Sequence, residues 1–543
     1  MARAAVPRKT RKTTQQMRQI DVTVPRSGTP SRPLAQYAAS LWAQLLAVQP
    51  AIALRFLCYL GGLACFNVVP SLQGAGPFLG QRTAAVLMVV CLLTGLGCFY
   101  LACCTTAPHW LYRLWPHRHG LLISGVSATL CASGLSIGVL AALPLTILRP
   151  DHYANDAVAA TECATHLFVQ GHNPYAAYNL VVCFARHGLT GVYTTPLQAG
   201  AFAHIRIYPP QRDLLRAFAQ VRHAHVPHPA LFESYFNYPA GAFLLPAPFA
   251  ALGWHDMSTF YLLWALLAYG LLVRWAPRGW RPWLLVLAGA NATLWTTIAD
   301  GQSNVLDGCL IVAAWATWRR SWLSAVLMGL AVATRQEAWF FAPFYLVLSG
   351  CLLGWRAAGV RLAVIGGLFS LLNVPFIALS PGAWLHGVLG PLTDPMYPLG
   401  EGVIALATSG VLPLWPRSVY AGLELAALVA CLLLYVRICR RQPGTGPVLA
   451  LIPVVFAWRS LFTYFYVALP MLSLWVFLAA LSAHRSEQDV SRGGYALRPQ
   501  EAAGRDGRGA GYRAERDPGF SPIPSLSGDE DDPRDRAERP AAA

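Results

Sequence analysis

The chain has 543 residues, of which 55% are hydrophobic and 12% charged, with a formal net charge of +16. A soluble globular domain carries about twice that charged fraction, so the composition argues against a soluble enzyme. It also argues against a nucleic-acid partner, because no recognition motif accompanies the basic residues.

Residues 1–40 are a basic arm that includes Lys9 and Lys12, the only lysines of the chain. Positive charge ahead of the first apolar segment predicts a disordered, cytoplasmic N-terminus. Apolar segments follow at 41–69, 83–105, 120–148, 258–274, 283–299, 303–318, 321–334, 338–354, 360–379 and 417–436, with a proline-broken stretch at 447–481. A bilayer is crossed by roughly 20 apolar residues, so the fold class is all-α: a polytopic transmembrane protein of about eleven to thirteen membrane segments over 41–482. The Arg-bearing joints at 109–120, 274–282, 318–320 and 437–444 read as cytoplasmic. Residues 149–236 then form a large extracytoplasmic loop carrying amphipathic helices. The segment 238–253 disturbs the parity, since a full crossing would put the joint at 274–282 outside, against its charge. It therefore reads as re-entrant, or a neighbouring segment is misassigned. Residues 483–543 mix Arg with Asp and Glu, have few apolar positions, and read as a disordered tail.

The 13 cysteines sit mostly singly in apolar spans, as small hydrophobic filler. Cys163 and Cys183 share the external loop and form a disulfide if the helices hold them close enough. His223, His225 and His228 crowd one loop segment, but no carboxylate or cysteine pattern joins them, so no metal ligand set is read. A divalent cation is left open.

Of the 25 acidic residues, 12 lie after position 483. The few that remain near membrane boundaries are functional suspects, because charge is costly there. Asp156 follows the third span and opens a segment, 155–170, that patterns as an amphipathic helix along the membrane surface. Gly171 and Pro174 stop that helix. As an alternative, Asp156 is only a first-turn charge that complements the helix dipole.

Several short stretches, in order, resemble the GT-C class of membrane glycosyltransferases, and among them glycosyltransferase family 87. They are an Asp in the large loop followed by GHNPY (171–175), then FNYPAGAFLLPAPFAAL (236–252), DGQSNVL (300–306), GLAVATRQEAWFFAPFYLVL (329–348) and WRSLFTYFYVALP (458–470). The resemblance implies a polyprenyl-phosphate-linked mannose donor as co-substrate, with no resident cofactor, and Asp156 as catalytic base.

The chemistry agrees. Transfer from a lipid-phosphate sugar needs one base for the acceptor hydroxyl and a cation for the phosphate leaving group. The loop offers Arg206, Arg212, Arg216 and Arg222 and the membrane side Arg335 and Arg459 as candidate cations, with Arg335 the first choice. Arg335 and Glu337 are alternatively an internal ion pair. Gln302 and Asn304 are candidates for sugar hydroxyls, unless they belong to a helix cap formed by Asp300 or Ser303. Asn173, Tyr175 and Tyr238 complete the substrate-binding candidates, with Tyr238 alternatively part of an interfacial aromatic belt. The implied partners are the polyprenyl-phosphate sugar, an extracytoplasmic lipid or glycan acceptor, and membrane lipids. The implied location is the cell membrane, with the active site on the extracytoplasmic face. The competing reading is a multi-pass transporter or lipid flippase.

Overall fold

The computed structural model describes residues 50–105, 108–147, 153, 155–226, 228–254 and 256–496. The basic arm at 1–40 and residues 497–543 of the tail lie outside the described residues. A backbone surrounded by lipid must satisfy its own N–H and C=O groups, which favours helices. The main helices are α1 (Pro50–Gly74), α2 (Gln81–Cys103), α3 (Arg118–Ile147), α4 (Asp156–Val169), α5 (Gln211–His223), α6 (Met257–Trp275), α7 (Arg281–Ala290) and α8 (Ala292–Ala299). After these come α9 (Asn304–Ala316), α10 (Ser321–Thr334), α11 (Glu337–Leu353), α12 (Trp355–Leu379), α13 (Pro381–Thr393), α14 (Arg417–Ile438) and α15 (Ala468–Ala496). α15 continues past residue 482, where the tail was expected to begin.

Among the described residues, six helical stretches are long and apolar enough to cross a membrane: α1, α2, α6, α12, α14 and 463–483. α9, α10 and α11 are shorter apolar helices of the same bundle. The chain is an all-α polytopic membrane protein.

Hydrogen bonds define two ends of the bundle. At one end Arg55 Nε donates to the Ala102 carbonyl at 2.9 Å and Thr105 N donates to Gln442 Oε1 at 2.5 Å. Arg361 donates from α12 to the Trp318 carbonyl. The basic joints at 318–320 and 437–444 therefore belong to this end. At the other end Asn304 Nδ2 donates to the Thr463 carbonyl at 2.6 Å, and Gln336 Nε2 donates to the carbonyls of Asn237 at 2.8 Å and Val388 at 2.9 Å.

The parity problem has a local answer. Residues 238–253 hold two helices, Gly241–Leu244 and Ala247–Ala251, and neither approaches the ~20 residues of a crossing. Pro246 divides them and Pro248 sits in the first turn of the second, because proline lacks the N–H that a continuous helix needs. The expected span 283–299 is likewise broken at Asn291, into α7 and α8. The Asn291 side chain accepts from Leu294 N at 3.4 Å and donates to Tyr269 Oη at 3.4 Å, so it competes with the helix ladder.

α4 departs from expectation in its surroundings. It starts and stops where the sequence places it, with Asn155 accepting from Ala157 N at the start and Gly171 at φ +82 just past the end. Yet residues 157–165 are all buried. The helix runs inside the protein instead of along a membrane surface, because Ala and Thr give it faces small enough to pack on all sides. α5 is the amphipathic one: Leu214, Ala217, Phe218 and Val221 are buried at helical spacing.

Candidate active site

The site forms where three extended segments meet on the helical end. Pro196 pairs with Phe232, and Leu197 pairs with Met396, each as an antiparallel bridge. Strand β1 (Leu399–Gly400) pairs in parallel with β2 (Arg459–Ser460), Leu399 opposite Arg459. Backbone hydrogen bonds fix the junction: Glu233 N donates to the Thr195 carbonyl at 2.8 Å and Gln198 N to the Pro395 carbonyl at 2.7 Å. Gly400, at φ +134, lets the two strands close, since a Cβ there would stand 2.1 Å from the Ser460 carbonyl oxygen.

Asp156 enters this junction from the first turn of α4. Asn155 takes the capping position, accepting from Ala157 N at 2.7 Å, so Asp156 is not needed as a cap. Its Oδ2 accepts from Thr195 Oγ1 at 3.3 Å. Burial raises the Asp156 carboxyl above its ordinary range, while the charge of Arg459 and the Thr195 hydrogen bond work in the opposite direction. A buried carboxyl whose proton affinity is raised, with a guanidinium and a hydroxyl donor acting on it, is placed to accept a proton.

Arg459 is only lightly engaged. Nη1 donates to the Tyr397 carbonyl at 3.4 Å, and among the described residues no carboxylate lies within ion-pair distance. The Tyr208 hydroxyl, pushed up to about 12 chiefly by burial, feels both Arg459 and Asp156.

Arg335 is placed differently. Its Nε and Nη2 donate to the two oxygens of Glu337 at 2.8 and 2.9 Å, and Nη1 donates to Ser303 Oγ. The guanidinium carbon lies 4.3 Å from the Tyr238 ring centroid. The ion pair weighed as an alternative is thus formed, and it fills the guanidinium fork. Tyr238 joins this group to Asp156, whose charge reaches its hydroxyl. Asp307 feels Glu337 and Arg335 as well, so these charges gather near one end of the bundle and do not string across it.

The other candidates serve the framework. Asn173 accepts from Tyr175 N at 3.1 Å and donates to Ser380 Oγ at 3.1 Å. Tyr175 is fully buried and donates to the Tyr238 carbonyl at 2.8 Å. Asn304 Nδ2 is engaged by the Thr463 carbonyl while its buried Oδ1 has no donor among the described residues, and Gln302 is only partly buried beside it. Cys163 and Cys183 are joined in a disulfide, with His187 close to both sulfurs. The sulfurs are therefore not thiolate ligands. His223, His225 and His228 do not gather: His228 stacks on Tyr235 with centroids 4.3 Å apart.

Sequence reasoning missed Thr195, and it held Glu233 and Asp394 only among the acidic residues suspected near membrane boundaries, not as members of this site. They come from three separate segments, and only the junction brings them to Asp156.

The model of glycosyltransferase family 87 matches residues 236–443. The chain resembles glycosyltransferase family 87. The matched stretch contains Tyr238, Gln302, Asn304, Arg335 and Glu337, and it supports a membrane glycosyltransferase. Asp156 and Arg459 flank the matched stretch on either side. No curated protein and no solved structure matches the chain.

Proposed function

We propose that this glycosyltransferase moves a hexose, specifically mannose, from a polyprenyl-phosphate donor to a hydroxyl of an extracytoplasmic lipid or glycan acceptor. The observation that supports the reading is that Asp156 and Arg459 both come to the junction, where the Arg459 charge acts on the Asp156 carboxyl without an ion pair between them. A buried carboxyl with raised proton affinity sits in the field of a cation with donors to spare.

In this reading Asp156 Oδ takes the proton of the acceptor hydroxyl as that oxygen attacks the anomeric carbon. The bond from that carbon to the phosphate oxygen breaks, and the phosphate leaves with the electron pair. Attack from the opposite face inverts the anomeric centre. The leaving phosphate needs a positive charge and no proton, and a planar guanidinium binds two of its oxygens at once. Arg459 suits that task better than Arg335, whose fork is already filled by Glu337. Arg335 then holds Tyr238 in place beneath its cation.

The test is transfer of label from polyprenyl-phosphate-[3H]mannose to octyl α-mannoside in membranes containing the full chain. Labelled disaccharide glycoside of inverted configuration supports the reading. Its absence, with label instead passing from polyprenyl-phosphate glucose, would overturn the mannose assignment. Uptake of labelled sugar into liposomes without any transfer would favour a transporter.

A further inference from the structure

Beside Asp156 lies a second acidic group that the base-and-cation scheme leaves unused. Glu233 is 6% exposed, and neither of its carboxyl oxygens finds a protein N–H or O–H donor. The group facing it is Asp394. A Cβ placed on Gly390 would stand 3.0 Å from Asp394 Oδ2 and 3.2 Å from Glu233 Oε1, so the two carboxyls close over a position that only glycine leaves open. Both are held from behind. Glu233 N is bound by the Thr195 carbonyl, the same residue whose hydroxyl binds Asp156. The Asp394 carbonyl accepts from Arg417, which also donates to the Pro391 carbonyl at 2.6 Å.

We propose that the Glu233–Asp394 pair is a subsite for vicinal hydroxyls of a pyranose ring, set beside Asp156 so that a sugar held there is oriented for transfer. The inference rests on the transferase reading for its turnover assay only.

Two carboxyls facing each other with no donor between them repel unless a proton or a ligand supplies one. A pyranose diol supplies two O–H donors and accepts in return. Burial, then the charge of Asp394 and a hydrogen bond shared with it, pushes the Glu233 carboxyl up to about 9, with Arg459 pulling the other way and Asp156 adding to the rise. Glu233 is therefore a carboxylic acid at neutral pH, whose O–H is shared with Asp394 until a diol enters and takes up both carboxyls. The same buried polar group left empty is costly, which makes the site selective for a ligand bearing the matching hydroxyls. The sugar is that of the donor or that of the acceptor, and kinetics separates the two.

The experiment uses full-length protein purified in detergent, with polyprenyl-phosphate mannose and octyl α-mannoside as probes. Glu233→Ala raises the KM of one probe at least tenfold, with a smaller change in kcat. The probe whose KM moves identifies the sugar bound. Glu233→Gln keeps a donor and an acceptor and gives a smaller rise. Gly390→Ala, which wedges a methyl between the carboxyls, raises the same KM. Thermal protection by each probe reads the subsite without turnover, and Glu233→Ala loses protection by one of them. Unchanged KM values with only kcat lowered, or equal protection of wild type and Glu233→Ala, would overturn the proposal. A wild type that is protected but does not turn over, with Glu233→Ala losing that protection, would contradict the transferase reading while supporting the subsite.

Discussion

Asp156, Arg459 and Glu233 differ in what surrounds them, and this sets what each can do. Among the described residues Arg459 has no carboxylate partner, so its removal should act on the donor phosphate: Arg459→Ala is expected to raise the KM for polyprenyl-phosphate mannose by about tenfold or more, the scale of a charge-assisted hydrogen bond. An unchanged donor KM would exclude it as the phosphate cation. Glu233 makes a stability prediction whose sign follows from its protonation. Its folded carboxyl titrates near 9 against an ordinary 4.5, so between those values the folded state binds more protons than the unfolded state. Stability is then highest below about 4.5 and is lost as the pH rises towards 9. Thermal unfolding of the wild type should therefore weaken between pH 6 and 9 more steeply than that of Glu233→Gln. Equal slopes would show that Glu233 is already ionised at neutral pH.

At the scale of elements, α4 carries Asp156, the proposed base, and two devices hold it: the Asn155 cap and the Cys163–Cys183 disulfide. The cysteines are 20 residues apart, and closing a loop of that size is worth about 3 kcal/mol. Cys163→Ala with Cys183→Ala should lower stability by about that amount and reduce transfer with it; an unchanged thermal midpoint would contradict this. The start and end of α4 were legible in the sequence because Asn155, Gly171 and Pro174 act through local backbone chemistry. Its burial was not, because an Ala- and Thr-rich helix patterns much the same whether its neighbours are lipid headgroups or protein. The two-part structure of 238–253 and the break at Asn291 were hidden for a related reason: hydropathy counts apolar residues but does not see where the ladder is interrupted. Thr195, Glu233 and Asp394 were illegible as a group, since backbone pairing among three distant segments assembles them. Arg335 and Glu337 were legible as a possible pair, being two residues apart, and the pair is what forms.

Over the whole molecule, the basic joints at 318–320 and 437–444 lie at the end of the bundle opposite the site. With positive charge retained on the cytoplasmic side, the site would face outward, where a lipid-linked sugar and an external hydroxyl meet. In intact cells an impermeant maleimide should label Thr190→Cys and spare Arg319→Cys when both are placed in a cysteine-depleted background; the reverse pattern would invert the orientation. The central claim is that Asp156 takes the acceptor's proton. The most direct measurement is the single-turnover rate of label transfer from polyprenyl-phosphate-[3H]mannose by wild type and Asp156→Asn, each in membranes at matched levels of folded protein. Loss of a general base costs about 10²–10⁴-fold, so the variant should transfer label at least a hundredfold more slowly while still being protected from heat by the donor. Equal rates in the two proteins would contradict the account.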